Sequence, residues 1–174
     1  SSIPGSRRLV FSAWSPQWEG FYISSIGGAA YTFHNVGVHY VALRGRSSQP
    51  SVLLLNHKGG EVHVRLEPVN HEALWTGYAN PQGERLIGFY ALQQALYDRY
   101  AAEFPAGKVR IFCVGPAAAV TNEGAIGSSP LRKGAFSPVV DWAGRGGLGS
   151  RLLQYHNLVG CVFGGEWEDP DLRD

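Results

Sequence analysis

The sequence predicts an α+β domain: a mostly antiparallel β-sheet carrying one long helix. Three observations predict it. Strand-like runs outnumber helical ones and never settle into the regular strand–helix alternation of a doubly wound fold. The run "EVHVRLE" alternates apolar and polar residues cleanly, which implies one buried and one wet face, as antiparallel sheets commonly have. Helical patterning is convincing over one stretch only, from about Pro81 to Phe104.

Along the chain, Arg8–Trp14 ("RLVFSAW") and Phe21–Ser25 read as strands joined by the turn-rich "SPQWEG". Gly27–Gly28 breaks the chain, and "AAYTFHN" makes a short helix stopped near Gly37. Val38–Leu43 reads as a strand. Val52–Leu55 and Val62–Leu66 form the clearest hairpin, across "NHKGGE". In the long helix, Leu86, Tyr90, Tyr97 and Tyr100 fall near one stripe, widened by Phe89, Leu92 and Leu96, with Gly107 beyond its end. Those tyrosines are expected to pack in the core with wet hydroxyls. Val109–Val114 is a strand ending at Gly115–Pro116, followed by a long loop from about Ala117 to Gly134. Ser150–His156 is a short helix, Leu158–Phe163 a last strand, and "EWEDPDLRD" an acidic, frayed tail.

Composition narrows the function classes. With 174 residues, 44% apolar and 17% charged, the chain is expected to fold as one domain over 1–174 with a real core. A net charge of +1 with scattered Lys and Arg lacks the basic footprint of a nucleic-acid binder. No apolar run approaches the roughly 20 residues needed to cross a bilayer, so neither nucleic acid nor membrane is expected as a partner. Cys113 and Cys161 lie in apolar runs outside any C-x-x-C motif and read as small buried hydrophobes of a reducing cytoplasm. Two cysteines cannot by themselves hold an iron–sulfur cluster. With no methionine, the chain is expected to be a processed product, a fragment, or the remainder after a tag was cut.

The most specific stretch is "WAGRGGLGSRLL". Four of the six residues from Gly144 to Gly149 are glycine, a density found where φ must be positive or where something approaches too closely for a Cβ. Gly144, Gly146 and Gly149 spell the dinucleotide fingerprint G-x-G-x-x-G, but the context fails. Pro138 sits where the preceding strand should be central, and Glu166, where a ribose-binding acid belongs, leaves no room for a second βαβ unit. Two local readings stay open. The glycines could serve a tight turn alone, or their amides, with Arg145 beside them, could bind a phosphate.

Further segments carry a family resemblance. "IPGSRRLVFSAWSPQWEGFYISSIGG", "VGVHYVALRGRSSQPSVLLLN", "VRIFCVGPAAA" and "WAGRGGLGSRLLQYHNL" occur in unbroken order. Together they resemble the N-terminal domain of the tungsten-containing aldehyde ferredoxin oxidoreductase family, with a longer loop around "GSSPLRKGAFSPVVDW". The resemblance implies a base on which a bis-pyranopterin cofactor of tungsten (or molybdenum) lies, with a magnesium ion bridging the pterin phosphates. It implies that Arg8 pairs with phosphate, that Ser25 and Gly27 belong to a first cofactor turn, and that Arg145, Gly149 and Ser150 belong to a second. Main-chain carbonyls of Ser25 and Ser150 are the implied magnesium ligands. Ser25 stands where the family has asparagine, Ser150 where it usually has alanine, and "YTFHN" replaces a Gly-x-Glu-Leu segment. The family's first segment and its later domains, which supply a 4Fe-4S cluster and the acid/base groups, are missing from this sequence.

The other chemistry-capable residues form no rival site. The histidines at 34, 39, 57, 63, 71 and 156 lack metal-ligand spacing, and His34 lies nearest the first glycine turn. Ser6, Ser24, Ser25 and Ser150 lack a G-x-S-x-G elbow. Asp141 could orient Arg145 or cap a turn. The expectation is a cofactor-cradling domain or subunit of a cytoplasmic oxidoreductase that oxidises aldehydes or related carbonyl compounds. A companion chain or missing domains would carry the cluster, and ferredoxin would accept the electrons. The alternative is a cofactor-free binding or assembly subunit that keeps the fold.

Overall fold

The structure, a computed structural model, describes residues 7–132 and 134–169. Strand β1 (Leu9–Ser15) pairs antiparallel with β2 (Gly20–Ile26), and burial alternates along both. Leu9, Phe11 and Ala13 turn inward, while Val10, Trp14, Phe21 and Ile23 stay exposed. Buried Ser15 closes the turn, its Oγ accepting from the amides of Gln17 (3.2 Å) and Trp18 (3.0 Å). Helix α1 (Ala29–His34) follows the Gly27–Gly28 break. Strands β3 (Ser51–Lys58) and β4 (Glu61–Pro68) meet at Gly59–Gly60, both at positive φ (62° and 85°), as a two-residue hairpin turn of the primed kind requires.

Helix α2 (His71–Thr76) is capped by Asn70, whose Oδ1 accepts from the Ala73 amide at 3.2 Å. A small hairpin, β5 (Tyr78–Ala79) and β6 (Arg85–Leu86), leads to α3 (Gly88–Tyr100). The buried strand β7 (Val109–Val114) precedes α4 (Ala117–Val120), β8 (Ile126–Ser128), β9 (Leu131–Arg132), β10 (Ala135–Phe136) and β11 (Asp141–Ala143). Then α5 (Leu148–Ser150) continues as a π-helical turn over Arg151–Tyr155 into the fully buried β12 (Leu158–Gly165).

The main sheet has six strands in the order β11-β8-β7-β12-β3-β4. Every neighbouring pair is antiparallel except β12 and β3. This is the expected α+β architecture with a mostly antiparallel sheet. The hairpin β1–β2 and α1 cover one face, through Phe11 against Phe112 (ring centroids 5.0 Å apart) and Phe33 against Phe163 (5.8 Å). Helix α3 covers the other, where the thiol of Cys113 lies 3.9 Å from the Phe89 carbonyl.

Five sequence expectations are corrected. The long helix begins at Gly88 rather than near Pro81, because Asn80 Oδ1 accepts from the amides of Gln82 (3.1 Å) and Glu84 (2.8 Å) and bends that stretch into a hairpin. Its buried face is Phe89, Leu92, Gln93, Leu96 and Tyr100, and Tyr90 points to solvent. The loop after Pro116 holds α4 and strands β8 and β9. Val38–Leu43 is not a strand: it bends at His39 and joins no ladder among the described residues. Strand β4 alternates as expected, yet it is exposed on both faces: Val62, Val64 and Leu66 are 37, 66 and 51% exposed.

The start of the acidic tail is tied down, with Glu166 and Trp167 donating their amides to the carbonyls of His57 (2.9 Å) and Asn35 (3.2 Å). The expected fraying beyond Asp169 and the resembling segment before Arg7 lie outside the described residues.

Candidate functional site

The two glycine segments lie far apart in sequence, and both adjoin the β1–β2 hairpin, the first at its open end and the second at its turn. The first, Gly27–Gly28, caps the end of β2. The second, Gly144–Gly149, runs from β11 into α5 and packs on the β1–β2 hairpin. There Ser15 Oγ donates to the Gly146 carbonyl at 2.6 Å, and a Cβ on Gly146 would come within 2.4 Å of the Tyr22 ring. A Cβ on Gly27 would meet the Asp141 carboxylate at 3.4 Å.

Arg110, in the otherwise apolar β7, ties the first glycine turn to Asp141, the residue that opens β11. Its Nη2 donates to the Gly27 carbonyl (3.3 Å) and to Asp141 Oδ2 (3.0 Å), and its Nε donates to Ser128 Oγ (2.9 Å). Ser128 Oγ in turn donates a hydrogen bond to the Ile111 carbonyl at 2.6 Å. Burial pulls the Arg110 pKa down, and the hydrogen bond and charge of Asp141 pull it back up. Asp141 therefore pairs with Arg110, a role that neither sequence reading of it, orienting Arg145 or capping a turn, had named. Sequence reasoning missed Arg110, although a lone arginine in an apolar strand is itself a signal, since arginine is seldom buried unless paired.

The candidate residues divide into two groups. Arg8 is exposed, and its Nη1 reaches Ser25 Oγ at 3.4 Å across the hairpin. Arg145 is exposed and has no ion-pair partner among the described residues. Gly144 is open, with nothing nearer to its virtual Cβ than Trp142 at 3.8 Å. By contrast, protein fills the space beside the later glycines. A Cβ on Gly147 would sit 1.8 Å from the Asn122 carbonyl, and one on Gly149 would sit 2.4 Å from that of Ala125. Buried Ser150 accepts from the Gly124 amide (2.8 Å) and donates to the Thr121 carbonyl (2.7 Å), pinning the 121–125 loop.

The remaining chemistry-bearing groups are structural. Burial pushes both cysteine thiols well up, which keeps them protonated and unreactive. His34 stacks edge-on against Trp167 at 4.7 Å. Among the described residues no group of His, Cys, Asp and Glu could hold a metal ion, and no helix is long and apolar enough to cross a membrane.

Fold and site together define an α+β domain with two glycine segments flanking the β1–β2 hairpin on a mixed sheet, distinct from a dinucleotide-binding βαβ unit. The strand before the second glycine segment is an edge strand, and the strand after it joins the sheet three places away, beside β7 and β3. The chain belongs to the family described as aldehyde ferredoxin oxidoreductase, N-terminal domain, whose family model matches residues 1–165. It is 44% identical over 180 residues to the glyceraldehyde-3-phosphate:ferredoxin oxidoreductase of Pyrococcus furiosus, an alignment covering 100% of this chain and 27% of that protein. It is 36% identical over 174 residues to uncharacterized protein MJ1185 of Methanocaldococcus jannaschii, covering 99% of this chain and 25% of that one. The chain thus spans about a quarter of the length of these relatives.

Proposed function

We propose that this chain is the cofactor-cradling domain of a bis-pyranopterin tungsten (or molybdenum) oxidoreductase. The observation that carries the reading is that both glycine segments adjoin the β1–β2 hairpin, with the cationic side chains of Arg8 and Arg145 exposed to solvent. A guanidinium free at the surface can grip a phosphate with two parallel hydrogen bonds. The donor set suits the pterin phosphates at Arg8, Ser25, Gly27 and Arg145, and Gly144 leaves the backbone approachable. Gly149 and Ser150 support that cradle from beneath, because their neighbours are the protein's own carbonyls and amides. Of the two main-chain carbonyls implied for magnesium, that of the partly buried Ser25 suits an ion, whereas Ser150 is fully buried at the start of the π-helical turn, which fits a supporting role better than coordination.

When bound, such a cofactor supplies the two-electron redox chemistry, and the protein supplies orientation and electrostatics. The substrate class is aldehydes or related carbonyl compounds, in keeping with the name of the Pyrococcus relative. The 4Fe-4S cluster would sit in the remainder of a longer protein or in a companion chain, with ferredoxin as acceptor in the cytoplasm.

A second reading rests on one observation. Because Gly147 and Gly149 are accounted for by close backbone packing, the glycine loop could persist in a cofactor-free binding or assembly subunit. Metal analysis and pterin content of the purified full-length protein separate the two. Stoichiometric tungsten or molybdenum with pterin is expected, falling sharply in an Arg8→Ala, Arg145→Ala double variant of unchanged melting temperature. Pterin retained at wild-type occupancy in that variant would sink the phosphate assignment, and a folded protein free of both would establish the second reading.

A further inference from the structure

We infer that Asn35 and Trp167 are positioning residues for the first glycine turn. They dock the chain leaving β12 onto the end of α1, and α1 in turn holds Gly27–Gly28 in place. The coupling is a property of the fold, and its bearing on a bound cofactor rests on the reading above.

Helix α1 is too short to hold itself. It has six residues, whereas isolated helices shorter than roughly 12–15 residues are marginal in water. Among the described residues no side chain caps it at Gly28, its N-cap, which stands at φ 68°. Its place is set from outside, at both ends. At the start, Ala29 is fully buried, the Ala30 amide donates to the Arg7 carbonyl (3.2 Å), and the Gly27 carbonyl accepts from Arg110 (3.3 Å). A helix of this length spans only about 9 Å, so whatever fixes its last turn also fixes where the glycine turn stands.

That last turn is held by the tail. Asn35 and Trp167 exchange two hydrogen bonds: the Trp167 amide donates to the Asn35 carbonyl (3.2 Å), and Asn35 Nδ2 donates to the Trp167 carbonyl (3.0 Å). The indole lies over Gly37, which stands at positive φ (77°) and where a Cβ would come within 2.9 Å of the ring. It also meets His34 edge-on at 4.7 Å. Phe33, His34 and Asn35 belong to "YTFHN", the segment in which the chain departs from the pattern of the resembling family. All three engage β12 or the tail that follows it.

The tail is itself anchored to the main sheet. The Gly165 amide donates to the Lys108 carbonyl (3.2 Å) and the Glu166 amide to the His57 carbonyl (2.9 Å). Glu166 Oε2 accepts from the Gly59 amide at 3.3 Å, and Glu168 pairs with Lys108 at 2.7 Å. Chain that merely leaves a domain carries few contacts. Residues 165–168 are instead tied to the end of β3, to the β3–β4 turn and to the residue before β7, so Trp167 offers α1 a fixed point on the sheet.

Hydrogen exchange resolved to single amides, on the full-length protein, tests the inference. In Trp167→Ala and in Asn35→Ala, residues 28–31 at the start of α1 should exchange about tenfold faster, together with residues 33–37 at its end. Trp167→Phe keeps a ring over Gly37 and should restore most of the protection. Loosening of residues 33–37 with 28–31 at the wild-type rate overturns the coupling, as does wild-type exchange throughout. Gln93→Leu, which strands the buried Ser129 amide far from the tail, serves as the control for a general loss of stability. Equal acceleration of residues 28–31 in that variant also overturns the inference. In the second arm, pterin release from the same proteins is followed with time, and the two alanine variants should lose it several-fold faster. Release at the wild-type rate from a protein whose α1 has loosened overturns the positioning role. A wild-type protein without pterin overturns the cofactor reading instead, and the exchange result then decides the coupling alone.

Discussion

Replacing Arg110 by Met tests whether the buried guanidinium clamps the first glycine turn to β11, the strand that leads into the second glycine segment. Methionine keeps most of the stem's packing and deletes the hydrogen bonds to Gly27, Asp141 and Ser128. Removing one partner of a buried ion pair typically costs about 3–5 kcal/mol, because the other charge is left buried. The Arg110 side chain is 8% exposed but that of Asp141 is 34% exposed, so the carboxylate regains part of its hydration. That lowers the share of the ion pair to about 2 kcal/mol, and the stranded Gly27 carbonyl adds about 1 kcal/mol. Ser128 keeps its bond to Ile111. The expected loss is about 3 kcal/mol, or roughly 6–12 °C in Tm for a domain of this size. Asp141→Asn keeps an acceptor for Nη2 and should cost about 1–2 kcal/mol. In urea unfolding followed by circular dichroism, the double variant should recover about 1–2 kcal/mol relative to the sum of the singles. Strict additivity, or a loss under about 1 kcal/mol for Arg110→Met, would refute the clamp.

Other substitutions probe the same packing. Gly147→Ala combines positive φ (62°) with a Cβ 1.8 Å from the Asn122 carbonyl, so it should cost more than about 3 kcal/mol and show as lost soluble protein. Gly144→Ala meets open space and should change stability by less than about 0.5 kcal/mol while lowering cofactor occupancy, read by metal analysis. Gln93→Leu strands the buried Ser129 amide that its Oε1 accepts at 2.8 Å, and should cost about 1–3 kcal/mol by chemical denaturation. Alkaline stability should follow the two buried thiols, whose folded pKa values lie above the ordinary 9.0. Below that pH both states hold the protons and nothing changes. Above it the unfolded chain releases protons that the folded one keeps, so stability falls by about 1.4 kcal/mol per pH unit per thiol. A Cys113→Ala, Cys161→Ala variant, less stable at neutral pH, should show a flatter alkaline limb in denaturation curves.

What the sequence made legible depends on whether the partner of each pattern lies nearby in the chain. The β3–β4 hairpin was readable because its turn and its alternation are local. Strands β7 and β12 were readable as short apolar runs because both faces are buried, by α3 on one side and by the hairpin and α1 on the other. Helix α2 escaped notice because six residues carry too little periodicity, and its Asn70 cap reads equally as a turn. The start of α3 was misplaced because Pro81 suits a first helical turn as well as a hairpin loop, and the side chain of Asn80 decided the matter. Arg110 announced its burial but not its partner, since Asp141 lies 31 positions away along the chain. Val38–Leu43 and β4 differ from these. Both carry a strand-like pattern in sequence, but among the described residues Val38–Leu43 finds no ladder partner and forms no strand, and β4 has no cover over its apolar face.

The glycine loop shows why composition alone could not choose between a turn and a ligand. Both demand residues without a Cβ, and the demand looks the same in sequence whether the intruder is a phosphate or the protein's own carbonyl. In space the glycines part company. Gly146, Gly147 and Gly149 are required by Tyr22, Asn122 and Ala125, whereas nothing within the chain requires Gly144 to be bare. The case for a cofactor therefore rests on what internal packing leaves unexplained: an open glycine, exposed guanidinium groups at Arg8 and Arg145, and a buried arginine that holds the first glycine turn to the carboxylate leading into the second. A cofactor-free scaffold would need the packed glycines but gains nothing from Gly144 or Arg145. The Gly144→Ala variant therefore separates the two accounts more sharply than any change within the packed half of the loop.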